Sequence, residues 1–270
     1  MSARKEHRFK LDRLKENIAR LDSLLIAFSG GVDSTFLLRV AKEVLGERVT
    51  AATAVSDLCL SQELESAEKS ARVLSVKHEM IEHSILSDPA FIENTPDHCY
   101  FCKKAMFAKF RALAERRGIG HVADGTNLDD LKDFRPGLRA LEELGIVSPL
   151  KKALFTKADI RVASRELDLE VWNKPAMACL ASRFPYGTPI TAPDLEKVRQ
   201  AEELLQALGF GQFRVRHHGD TARIELPVAD MERIFSGDIR AKIVEHLKSL
   251  GYRYVALDLE GYRTGSLNES

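Results

Sequence analysis

A six-residue segment, Ser29-Gly30-Gly31-Val32-Asp33-Ser34, constrains the fold of this chain more than any other. It follows the apolar run LLIAF at residues 24–28 and precedes a helical pattern over residues 35–45, which Gly46 closes. The short apolar run predicts a buried strand. A strand, a glycine turn and a helix in direct succession leave free backbone N–H groups at the helix start. There the helix dipole favours an anion by about 0.3–1 kcal/mol, and by about 2 kcal/mol when partly buried. Gly30 and Gly31 permit positive φ and close approach of the backbone to a ligand. Ser29 and Ser34 add hydroxyl donors. Asp33 is an anion inside an anion site, which makes sense if a divalent metal bridges it to phosphate. The competing reading is a plain glycine turn with Asp or Ser capping the helix.

The rest of the chain extends this pattern. Residues 8–22 predict an entry helix, with Leu11, Leu14, Ile18 and Leu21 on one face. Strands are expected at 49–55, 77–83, 121–123 and 146–147, and helices at 62–75, 103–117 and 156–167. Strands alternating with helices imply an α/β fold with a doubly wound parallel sheet, assigned to residues 1–172. The proline-rich stretch 173–193, with the only cysteine of the second half, is expected to be a functional loop and domain joint. Beyond it come helix 193–208, strands 212–217 and 221–226 forming a hairpin, helix 238–250 and strand 253–259. Residues 173–270 are therefore expected to form a smaller α+β domain.

Composition narrows the partners. The chain has 270 residues, and its 44% hydrophobic content supports a sizeable core and excludes a disordered chain. Forty basic residues balance forty acidic ones, so global charge gives no reason to expect nucleic acid. Four cysteines are too sparse for a disulfide-stapled secreted fold. No apolar signal core opens the chain, and no apolar run approaches the ~20 residues that span a bilayer. A soluble, cytoplasmic protein with no membrane partner is expected.

SGGVDS resembles the phosphate loop of the N-type ATP pyrophosphatases, which lacks the Gly-Lys-Ser/Thr of the Walker loop. That resemblance implies ATP with Mg2+ held by Asp33, cleavage between the α and β phosphates, and adenylation of a carboxyl or carbonyl oxygen. It also implies adenine contacts at the next strand end, including Thr53 and Ala54. The segment DGTNLDDLKDFRPG, residues 124–137, follows a strand and sits over the C-terminal sheet edge, where ligands bind in open α/β folds. Asp124, Gly125, Thr126, Asn127, Asp130 and Arg135 are its candidate contacts to nucleotide or Mg-pyrophosphate.

Cys99 and Cys102 form HCYFCKK, which puts two thiols one turn apart and suits a shared metal. A zinc site with His98, a redox pair and spectator cysteines are the competing readings. Cys59 is expected to be a small core residue, and His217 and His218 surface residues at a hairpin end. Arg214 and Arg216 lie on one face of a strand and could clamp phosphate bidentately.

PAMACLASRFPYG at 175–187, the DGTN segment and YRTGSLN at 262–268 resemble the LarE family of ATP-dependent sulfur transferases. These act in nickel-pincer cofactor biosynthesis for lactate racemase maturation. The resemblance implies that Cys179 donates sulfur, with Ser182 and Arg183 as neighbours, and that a pyridinium mononucleotide is the substrate. It implies that Arg214 and Arg216 lie near the substrate, and that Glu202 and Glu225 lie near a metal at subunit contacts of a homo-oligomer, a dimer or hexamer. Some family members sacrifice one cysteine. Others hold a [4Fe–4S] cluster on three, and the additional Cys99 and Cys102 place this chain with the latter. A tRNA-thiolating enzyme, an ammonia-using synthetase and a nucleotide sensor are the alternatives.

Overall fold

Three consecutive apolar residues in a four-residue strand need cover on both faces. In the computed structural model, which describes residues 3–132, 136–175 and 179–263, β1 (Leu24–Ala27) meets that need: Leu24, Leu25 and Ile26 are fully buried. Successive side chains point to opposite faces. Leu24 and Ile26 pack with Leu14, Ile18, Phe36, Leu37 and Ile160, from helices Ala3–Ala19, Val32–Leu45 and Lys157–Glu166. Leu25 packs in a separate core with Phe107, Phe110 and Leu141, from helices His98–Arg116 and Gly137–Glu143.

β1 lies between β2 (Val49–Val55) and β4 (His121–Ala123), with β3 (Lys77–Glu82) beyond β2; all pairings are parallel. Residues 146–147, expected as a strand, contribute a single parallel bridge from Val147 to Ala123. The doubly wound α/β sheet is thus present. Its order, β3-β2-β1-β4, reverses direction between β1 and β4, and ligands bind beyond the strand ends at such a switch point. SGGVDS follows β1 and DGTN follows β4, so both sequence motifs converge there.

The chain forms two compact units. The first comprises Met1–Ser56, Ser61–Ile85 and Cys99–Ala176, and contains the parallel sheet. The second comprises Asp57–Leu60, Leu86–His98 and Met177–Ser270. In it, β5 (Arg214–His218) and β6 (Thr221–Glu225) make the expected antiparallel hairpin through Gly219 (φ +59°) and Asp220, and β7 (Tyr254–Leu257) adds parallel to β6. Helices Ala192–Ala207 and Ile239–Ser249 cover this sheet with Ala201, Leu205, Ile243 and Leu247 against Val215, Ala222 and Ile224. Within the second unit, buried Asn94 fastens the cysteine segment: its amide donates to the carbonyls of Pro185 (2.8 Å) and Thr188 (3.1 Å).

Candidate phosphate-loop site and the Cys179 segment

The loop after β1 is organised by its own serines. Ser34 Oγ donates to the Gly31 carbonyl (3.2 Å) and lies 3.2 Å from Ser29 Oγ, and the Ser29 N–H approaches Ser34 Oγ at 3.3 Å. Helix Val32–Leu45 starts at Gly31, whose carbonyl accepts from the Thr35 N–H (3.0 Å). Gly31 makes no side-chain cap, so the plain capped-turn reading lacks its defining hydrogen bond. Gly30 has φ +65°, and a Cβ there would stand 2.9 Å from the Ala67 backbone. Both constraints require glycine. Gly125 serves the same close packing after β4, since a Cβ would lie 3.2 Å from the Ser34 N–H nitrogen.

Asp33 pairs with Lys157 through one carboxylate oxygen. The other, Oδ1, is buried with no hydrogen-bond partner among the described residues. Burial holds the Asp33 carboxyl above its ordinary range; Lys157 opposes this and Asp130 adds to it. An ionisable oxygen left unpartnered among the described residues, in the first turn of helix Val32–Leu45, fits a cation bound together with phosphate at the helix start. Lys157 was not singled out by the motif. Its sequence signal is the Thr156–Asp159 capping box, which makes Lys157 the first residue of helix Lys157–Glu166 and so fixes its direction. Lys174 was also missed; its Nζ donates to the Gly30 carbonyl (3.2 Å) and to Ser66 Oγ (3.0 Å).

In the second motif, buried Asp124 accepts from Ser148 Oγ (2.6 Å) and from the Thr126 hydroxyl. Asp130 caps the turn by accepting from the Asn127 N–H (2.9 Å). Asp129 accepts from the Lys157 N–H (2.8 Å), which links the acidic turn to the Asp33 partner. Arg135 and Asp133 lie outside the described residues. The buried Thr53 hydroxyl donates to the Phe28 carbonyl (2.6 Å) and meets His78 Nε2 at 2.7 Å. Ala54 follows it in β2, half-buried.

Cys99 and Cys102 stand on the first turn of helix His98–Arg116, which begins five residues before the predicted start. Spacing i, i+3 puts them on one helix face. Cys99 is exposed and Cys102 half-buried, with Cys102 Sγ 3.7 Å from His83 Nε2. His98, expected as a possible zinc ligand, is buried and meets the Thr95 carbonyl through Nδ1 (2.9 Å). Among the described residues, no three His, Cys, Asp or Glu side chains converge on a common metal position. Cys59 is half-buried rather than in the core.

In the second unit, Cys179 is exposed and precedes a short 3-10 turn, Leu180–Arg183. Arg183 is only 1% exposed and clasps Glu202, with Nε to Oε1 at 2.7 Å and Nη2 to Oε2 at 2.8 Å. Burial disfavours its charge, but Glu202 outweighs burial, and the Cys179 thiolate adds to the same effect, so its pKa is raised. Arg183 Nη1 also donates to the Cys179 carbonyl (3.2 Å) and Ser182 Oγ (2.9 Å), while Ser182 Oγ donates to the Cys179 carbonyl (2.8 Å). Arg216 does likewise one step on, donating to the Ser182 carbonyl (2.6 Å) and to Glu225 Oε1 (2.7 Å). The two oxygens of Glu202 and of Glu225 therefore accept from arginine, and the Val215 N–H adds a third bond to Glu202 (2.9 Å). Arg214 stacks on Tyr262, 4.2 Å from the ring centre, and donates to its hydroxyl (3.0 Å). Burial pulls its pKa down, against Tyr262 and Glu225. His217, expected at the surface, is buried beside Phe184 and meets the Tyr252 hydroxyl at 3.1 Å. It precedes the hairpin end, and the helix Ala192–Ala207 covers that strand.

No protein-family model matches the chain. The chain is similar over nearly its whole length to proteins from three organisms. An uncharacterised protein of Synechocystis is 42% identical over 96% of this chain and 97% of its own length. The pyridinium-3,5-bisthiocarboxylic acid mononucleotide synthase of Lactiplantibacillus plantarum is 41% identical over 93% of this chain and 90% of its own length. An uncharacterised protein of Methanocaldococcus jannaschii is 31% identical over 94% of this chain and 98% of its own length.

Proposed function

This chain belongs to the LarE family, and on that premise we propose that it is an ATP-dependent sulfur transferase acting on pyridinium-3,5-biscarboxylic acid mononucleotide. The observation that supports the adenylating half is the glycine loop at the sheet's switch point, with Asp33 Oδ1 in it unpartnered among the described residues. Loop N–H groups and the Ser29 and Ser34 hydroxyls receive the triphosphate. Asp33 would hold Mg2+, which neutralises phosphate charge when bound. A substrate carboxylate oxygen attacks the α-phosphorus, forming an acyl adenylate and releasing pyrophosphate. Sulfur then attacks the carboxyl carbon, AMP leaves with the bonding pair, and a thiocarboxylate remains. A second round gives the dithio product.

The sulfur comes by one of two routes. Cys99, Cys102 and Cys179 would hold a [4Fe–4S] cluster, which supplies sulfide without consuming the protein. The CxxC thiols on one helix turn support that route. The alternative is Cys179 itself, converted to dehydroalanine; its exposed thiol on a segment anchored by Arg183 and Arg216 supports this one. In both, Arg183 holds the Cys179 carbonyl and Arg216 the Ser182 carbonyl, while the Cys179 side chain stays exposed. The neutral charge favours a small nucleotide substrate over RNA.

Anaerobic protein incubated with ATP, Mg2+, sulfide and the biscarboxylate mononucleotide should release pyrophosphate and AMP, and give a product with carboxylate oxygen replaced by sulfur. Absence of substrate-dependent pyrophosphate release overturns the reading.

A further inference from the structure

Lys174 has the surroundings of a cation awaiting an anion. Its two hydrogen-bond partners, the Gly30 carbonyl and Ser66 Oγ, are neutral. Among the described residues no carboxylate is in ion-pair contact with it, and Glu63 acts on it only through space. Burial pulls its pKa below the ordinary lysine value. A partly desolvated ammonium is favoured by a nearby counter-charge, because withdrawing it from water without one carries a cost. Here it is kept beside the start of helix Val32–Leu45, whose first-turn N–H groups and dipole already favour an anion. Its place is fixed from two sides. Gly30 has positive φ and lies so close to helix Ser61–Val73 that a Cβ there would stand 2.9 Å from the Ala67 backbone, and Ser66 is the residue before Ala67 on that helix.

We infer that Lys174 is a phosphate ligand of bound ATP, pairing with the β and γ phosphates that leave together as pyrophosphate. The inference rests on the adenylating reading above. Most of the triphosphate's negative charge lies on those two groups, and the AMP left behind carries neither. Lys174 therefore strengthens binding of ATP and pyrophosphate, not of AMP.

Calorimetric titration of the full chain with Mg–ATP, Mg–pyrophosphate and AMP tests this. Lys174→Met should weaken ATP and pyrophosphate by about 10- to 100-fold, the loss of a charge-assisted hydrogen bond, and AMP by less than about twofold. Lys174→Arg should recover most of the ATP affinity. A lysine that only braces the loop would change all three ligands together, and that result overturns the inference, as does unchanged ATP binding. The wild-type chain supplies a measurement independent of variant folding: ATP should protect Lys174 from amine acylation, read by peptide mass, where AMP does not. Labelling indifferent to ATP overturns the inference. Wild-type protein that binds no ATP overturns the functional reading itself, and the inference with it.

Discussion

Asp33 is held at a cost to the unliganded fold. Its folded-state pKa is raised, so this group's contribution to stability is fully present below the ordinary carboxylate range and is lost as pH rises through the raised value. Asp33→Asn should therefore raise the thermal midpoint of the ligand-free protein at neutral pH. The difference should close as pH falls below the ordinary carboxylate range. The same variant should lose the stabilisation that Mg–ATP gives the wild type; a lower midpoint without ligand would contradict this account. The Arg183–Glu202 pair behaves in the opposite way, since both side chains are almost completely buried and each satisfies the other. Glu202→Gln strands a buried guanidinium and should cost about 3–5 kcal/mol in denaturant unfolding. Replacing both residues by Met should recover much of that loss, because the uncompensated charge goes with them.

At the level of elements, the strand–loop–helix unit carries most of the site. Gly30→Ala meets two penalties, the left-handed backbone and the Ala67 backbone at 2.9 Å. It should destabilise the protein by about 2–3 kcal/mol and abolish ATP binding. Gly118 has φ +66° but open space around it, so Gly118→Ala should cost only about 1–2 kcal/mol and leave ATP binding intact. Equal loss of ATP binding in both variants would show that backbone strain, not the Gly30 packing, matters. This unit was legible in the sequence because strand, glycine turn and helix are contiguous. Lys157 was not, since its role depends on Asp33, a partner 124 residues away. The CxxC was legible as a pair of thiols, but the early helix start that fixes its geometry was not.

For the whole molecule, the sulfur source is the decisive property. Anaerobically isolated protein should be brown and contain iron and sulfide in stoichiometric amounts, and Cys179→Ala should lower both. A colourless protein whose Cys179 peptide loses the mass of H2S on turnover would establish the sacrificial route instead. Both outcomes are read by metal analysis and peptide mass. Among the described residues no helix is long and apolar enough to cross a membrane.

Contiguous signals made the α/β architecture, the glycine turn between β1 and its following helix, and the hairpin readable from residue order. Local backbone preference and side-chain period act over a few residues, and they sufficed there. Folding alone brought Lys174 to Gly30, left Asp33 Oδ1 without a partner among the described residues, and set Arg183 against Glu202 and the Cys179 carbonyl and Arg216 against Glu225 and the Ser182 carbonyl. The longest of those pairings, Lys174 to Gly30 and Arg216 to Ser182, join groups distant in sequence, and the buried ones depend on desolvation. A buried charge must find whichever counter-charge or carbonyl the packed chain places beside it, and residue order does not specify which one that is.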